Sequence, residues 1–73
     1  MRLEEILIRL SEIWCAETGR KESTLSARLA NDGKMLASVR DGSFVTTGKY
    51  QHFLSWFRTG DNWPDGRIPE QAV

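Results

Sequence analysis

The side chains that could carry acid–base or covalent chemistry are few and scattered. Cys15 and His52 each occur once, so no pair of cysteines can close a disulfide or share a metal, and the histidine has no partner at metal-ligand spacing. Ser11, Ser23, Ser26, Ser38, Ser43 and Ser55 have that one histidine as their only conceivable base, and nothing in their spacing ties any of them to it. Glu4 and Glu5 are adjacent, so on a helix they point in different directions and make a poor acid/base pair. No glycine-rich phosphate loop, HExxH, CxxC or nucleophile elbow is present. Cys15 therefore reads as a buried, inert thiol and His52 as a structural or surface residue. The chain is not expected to be an enzyme, to hold a metal or to need a cofactor.

Charge is the chemistry that remains. Ten Lys and Arg balance ten Asp and Glu, which argues against a generally basic protein. The distribution is uneven, however. Residues 1–19 carry two basic and four acidic side chains, and residues 50–73 two and three. Residues 20–49 carry six basic side chains, Arg20, Lys21, Arg28, Lys34, Arg40 and Lys49, against three acidic ones. A single face that meets phosphate would leave this footprint; a solvated basic surface would leave the same one.

These residues have to be positioned by a small scaffold. The 73 residues make one domain near the lower size limit for independent folding, with little interior to spare for a catalytic pocket. A composition 40% hydrophobic and 27% charged is that of a folded globular protein and not of a disordered one. The lone cysteine fits a reducing compartment. With no membrane-spanning run, signal peptide or lipidation motif, the expected location is the cytoplasm, without a membrane partner.

Leu3, Ile6, Leu7, Leu10, Ile13 and Trp14 recur at intervals of three and four, which predicts an amphipathic first helix stopped at Gly19. Glu5 and Arg9 add a favourable pair one turn apart on its outer side. Leu25 and Leu29, then Leu36 and Val39, form two short helical stripes separated by Asn31-Asp32-Gly33, residues that favour turns and caps. The second helix is expected to be capped by Ser23 or Thr24 and to run to about Asn31; the third is expected over residues 32–40, capped by Asp32. Ser26 and Ala30 are small where two steeply crossing backbones would approach. Lys34 and Ser38, four residues apart, share a face of the third helix. Thr46-Thr47 caps a fourth helix from about Gly48 to Thr59, with Tyr50, Phe53, Leu54 and Phe57 as its inner stripe. Trp56 falls off that stripe and implies a second contact, with the C-terminal tail or with another subunit. Residues 60–73 read as a tail in which Trp63-Pro64-Asp65-Gly66 is a turn with an aromatic anchor, Ile68-Pro69 packs back and the last four residues are mobile.

Residues 25–42, LSARLANDGKMLASVRDG, resemble the helix–turn–helix of the lambda-repressor-like, Cro/XRE-type regulators of bacteria and phages. The family pattern is met by Leu25, Ser26, Leu29, Ala30, Leu36, Val39 and Gly42, and residues 46–57 resemble the family's next helix. The tail Asn62-Trp63-Pro64-Asp65-Gly66 looks like that of small proteobacterial members. Ala30 stands where the family usually has the turn glycine, and the glutamine common at the start of its recognition helix is missing.

The resemblance implies an all-α, four-helix lambda-repressor-like domain spanning residues 1–73, with the helix–turn–helix at about 23–42 and a short extended tail at about 60–73. It implies a sequence-specific, nucleoid-associated transcriptional regulator that places helix 32–40 in the major groove of double-stranded DNA, as a homodimer on half-sites about one turn, ~34 Å, apart. Lys34 and Ser38 are then the leading base readers, with Gly33 allowing close backbone approach and Met35 touching a thymine methyl. Arg28, Arg40, Lys49, Thr46 and Thr47 are the candidates for phosphate, the threonines because a helix N-terminus favours an anion. Trp56, Trp63 and Ile68 are the candidate dimer surface, with closure of the monomer's own core as the alternative for Trp63. Two other functions fit the same residues: a DNA-architectural or co-activator protein of low sequence specificity, and a helical module that binds another transcription protein through the aromatics of the fourth helix.

Overall fold

Leu7, Leu10 and Trp14, with Ser11 between them, are the buried stripe of α1 (Leu3–Thr18) in the computed structural model, which describes residues 2–72. Ser11 is tolerated there because its hydroxyl donates to Leu7 O at 2.8 Å. The helix stops where expected: Gly19 takes the left-handed conformation at φ 69° and its N–H donates to Cys15 O, a conformation that costs glycine little. Three further helices follow, α2 (Glu22–Ala30), α3 (Met35–Arg40) and α4 (Thr47–Phe57), and the described residues contain no strand.

The helix boundaries depart from expectation in ways that local bonding explains. Lys21, and not Ser23 or Thr24, is the N-cap of α2, without a side-chain cap bond; Ser23 and Thr24 lie in the first turn. Starting there places Glu22 at the first helical position, where a carboxylate suits the helix dipole. The left-handed position that ends α2 belongs to Asn31, at φ 54°, and Gly33 has no positive φ. α3 is shorter than residues 32–40 because the Asp32 carboxylate accepts the Lys34 N–H at 2.9 Å, closing a turn ahead of the helix instead of capping it. Thr46 does cap α4, its hydroxyl accepting the Lys49 N–H at 3.3 Å. That helix ends at Phe57, since the Thr59 N–H turns back to Trp56 O and the Thr59 hydroxyl to Ser55 O.

One core joins the four helices. Leu7, Leu10 and Trp14 meet Leu25 and Leu29 of α2, Leu36 of α3, and Phe53 and Phe57 of α4. Each fully buried leucine removes enough apolar surface from water to stabilise the fold by about 1.5–3 kcal/mol. Tyr50 and Leu54, expected on the inner stripe of α4, are only half-buried.

The tail is not extended. It folds into three short 3-10 turns, Gly60–Asn62, Pro64–Gly66 and Glu70–Ala72. The first two touch so closely that a Cβ on Gly60 would stand 2.7 Å from Gly66 O. Trp63 between them is 3% exposed and its indole N–H donates to Phe57 O. Trp14 donates to Asn62 O, and the Asn62 amide donates to Trp56 O. Of the four last residues, expected to be mobile, Ala72 packs against the core and the turn Glu70–Ala72 lies on α1; Val73 lies outside the described residues. No helix among those residues is long and apolar enough to cross a membrane.

Candidate nucleic-acid interface

Ser26 organises the corner between α2 and α3. Fully buried, its hydroxyl donates to Asp32 O at 2.6 Å and accepts the Leu36 N–H at 3.0 Å. Leu36 is the second residue of α3, so one side chain from α2 supplies the cap that Lys34, at the N-cap position, does not. With Leu36 and Val39 buried beneath, α3 is fixed in direction and presents Lys34, Ala37, Ser38 and Asp41 to solvent. Neither Lys34 nor Ser38 has a side-chain hydrogen bond or ion pair among the described residues.

The other proposed base readers lie elsewhere. Met35 is half-buried and packs on the core, which withdraws it from the outer face. Gly33 sits in the turn ahead of α3, exposed, with the Ser23 carbonyl oxygen 3.7 Å from where a Cβ would stand.

Arg40 corrects the charge reading. Its Nε donates to both carboxylate oxygens of Glu22, at 2.8 and 3.0 Å, and its terminal nitrogen lies 2.7 Å from Glu22 and 3.4 Å from Glu12. The hydrogen bonds it donates to Glu22 hold the guanidinium even more firmly protonated than usual. This fork ties the end of α3 to α1 and α2, and it leaves Arg40 occupied by carboxylates where a phosphate contact was expected. Arg28 is also turned aside, its guanidinium carbon 5.7 Å from the centre of the Trp14 ring. That places its charge toward the tail.

The N-terminus of α4 keeps the arrangement expected of it. Thr46, Thr47 and Lys49 are exposed, the first turn holds no acidic residue, and the N–H groups of Thr47 and Gly48 have no partner among the described residues. Between this end and α3 runs an open groove of about 720 Å³. It is bordered by Ser38, Lys49, Arg28, Phe44 and His52 and floored by Met35, Val39, Val45 and Phe53. Of the proposed contacts, Ser38 and Lys49 are thus brought together on one groove, while Lys34 stands at the N-terminal end of α3 and Thr46-Thr47 at the start of α4, outside its lining.

The expected dimer surface is taken up by the monomer. Trp63 is in the core, Ile68 is half-buried against it, and Trp56 meets Trp14 edge-on at 5.8 Å and Phe57 at 5.3 Å. The second contact implied by Trp56 is therefore the tail and α1.

Two features have no clear forerunner in the sequence. Phe44, between α3 and α4, is 85% exposed and is the exposed large hydrophobic residue of the described chain. Its loop is held from α1, where the Glu4 carboxylate accepts the Val45 N–H at 2.8 Å and the Arg2 guanidinium carbon lies 5.6 Å from the Phe44 ring. That N–H, more than the neighbouring Arg2, holds the Glu4 carboxyl below its ordinary range. Cys15 is half-buried, and burial raises its thiol. Among the described residues no group of three His, Cys, Asp or Glu side chains is placed to hold a metal ion. Comparisons with protein-family models, with characterised proteins and with solved structures found no match for this chain.

Proposed function

We propose that the protein binds double-stranded DNA through α2, the turn and α3, as a small sequence-specific transcriptional regulator of the lambda-repressor-like kind, and does so as a homodimer whose contact lies outside Trp56, Trp63 and Ile68. The observation that carries this reading is the bracing of the α2–α3 corner by Ser26 while the outer face of α3 is left unengaged. A recognition helix has to be rigidly aimed and chemically free, and α3 is both.

In this reading Lys34 donates to guanine O6 and N7, Ser38 bonds a neighbouring base, and the Ala37 methyl replaces Met35 as the apolar contact for a thymine. The free N–H groups at the start of α4 and the Lys49 ammonium hold a phosphate, which fixes the register of the helix in the groove. The phosphate-neutralising lysines of a dimer, Lys49 from each protomer, give a log–log salt slope of about −1.8. Arg40 adds nothing to that slope. The competing module reading, through the aromatics of α4, has less support because Trp56 is already engaged by Trp14 and Phe57.

Alanine variants at Lys34 and Lys49, titrated against a preferred and a random duplex across a salt series, test the assignment. Lys49→Ala is expected to weaken both duplexes and flatten the slope, whereas Lys34→Ala costs about 1–3 kcal/mol at the preferred site. Unchanged binding by both folded variants would refute the docking.

A further inference from the structure

We propose that Phe44 and Arg2 form a second DNA contact outside the recognition helix, the ring packing on deoxyribose of the backbone that flanks the major-groove site and the guanidinium pairing with the adjacent phosphate. This contact rests on the DNA-binding reading and extends its footprint from α3 to the start of α1.

Phe44 is 85% exposed, an arrangement that leaves a whole aromatic ring in water and that the core does not require. The ring is nonetheless held in place. Its neighbour Val45 is tied to α1 by the Glu4 carboxylate at 2.8 Å, and Arg2 lies over the ring face at 5.6 Å. The loop also folds back on α3, since the Ser43 N–H donates to Ser38 O at 3.0 Å. Phe44 thus stands at the C-terminal end of α3, on the border of the groove that carries Ser38 and Lys49.

Two cations flank the ring, Arg2 over its face and Lys49 on the same groove, while Arg28 is turned toward Trp14. Of the acids nearby, Asp32 accepts the Lys34 N–H and Glu4 the Val45 N–H, and Asp41 is exposed at the end of α3. Arg2 has only a 3.5 Å contact with Glu4, and its side chain is 58% exposed, so it remains able to turn to a phosphate. A helix that enters the major groove by its N-terminal end leaves its C-terminal end beside the sugar–phosphate wall. An apolar ring there meets the C–H face of deoxyribose, whose contribution depends on neither base sequence nor salt.

Phe44→Ala, Arg2→Ala and the unaltered protein are to be titrated by anisotropy against a preferred and a random duplex over a salt series, with thermal melts and sedimentation mass in the same buffer. Loss of a half-covered ring is expected to weaken both duplexes by the same factor, about five- to tenfold, with an unchanged salt slope, melting temperature and mass. Arg2→Ala is expected to flatten the slope by about 1 for each phosphate that the guanidinium no longer neutralises. Unaltered affinity of Phe44→Ala, or a weakening confined to the preferred duplex, overturns the sugar packing while leaving DNA binding in place. A change in mass overturns it in favour of an interface between protein copies. If the unaltered protein binds neither duplex, the DNA reading itself falls and the Phe44–Arg2 site falls with it.

Discussion

The hydroxyl of Ser26 accepts the Leu36 N–H at 3.0 Å and donates to Asp32 O at 2.6 Å, so one buried side chain of α2 sets both the turn and the start of α3. Replacing it by alanine strands the buried Leu36 N–H and takes the donor from Asp32 O, at a cost of about 1–3 kcal/mol. For a chain this small that is a drop in melting temperature of about 4–8 °C per kcal/mol. Ser26→Ala is therefore expected to melt lower and, at temperatures where it remains folded, to bind DNA more weakly than the unaltered protein. Equal melting curves would show that the corner is held by packing alone.

Arg40 belongs to Glu22 and Glu12, and the pair is substantially solvent-exposed, with the arginine side chain at 40%. Exposed ion pairs contribute little, so Arg40→Ala is expected to lower stability by under about 1 kcal/mol and to leave the salt slope of DNA binding unchanged. Chemical denaturation and a salt titration of the same variant measure the two effects. A slope flatter by about 1 would return Arg40 to the phosphate contacts.

Glu4 gives the fold an acid dependence of known sign. Its carboxyl is held below the ordinary value of 4.5 by the Val45 N–H, so its contribution is fully present above that value and is lost as pH falls through the depressed folded value. The difference in stability between the unaltered protein and Glu4→Gln should therefore be constant near neutrality and shrink in acid. Denaturation at a series of pH values measures it. A difference independent of pH down to full protonation would show that the carboxylate charge does not hold the loop.

Trp63, buried and bonded to Phe57 O, closes the core. Trp63→Ala is expected to cost about 3–5 kcal/mol, enough to unfold much of a marginally stable chain. Trp63→Phe should keep the fold while losing one hydrogen bond, with no change in sedimentation mass. A mass change with intact melting would place Trp63 between protomers instead.

Periodicity discloses most of the scaffold. The stripes of α1, Leu25 with Leu29, and Leu36 with Val39 are all found in the structure on buried faces, and Gly19 and Thr46 end and begin helices as their types suggest. What periodicity cannot disclose is how exposed charges pair. Arg40 and Glu22 are 18 residues apart, and only the crossing of α2 and α3 brings them to 2.7 Å. Counting basic residues therefore overstates the free charge of this segment. The order of the tail is hidden for a related reason. It comes from long-range bonds to Trp14, Trp56 and Phe57, which leave no regular spacing behind. Ser26 is legible as a small residue at a helix crossing, but its role as a remote cap depends on where Asp32 and Leu36 come to lie.

The central claim, that α3 reads DNA, is tested most directly by selecting bound duplexes from a random pool and measuring the affinity of the unaltered protein for the enriched and the random sequence. The expected result is one enriched site with two half-sites about one turn, ~34 Å, apart, bound at least about 10³-fold more tightly than random duplex. Enrichment of no sequence, with equal affinity for every duplex or none, would contradict it.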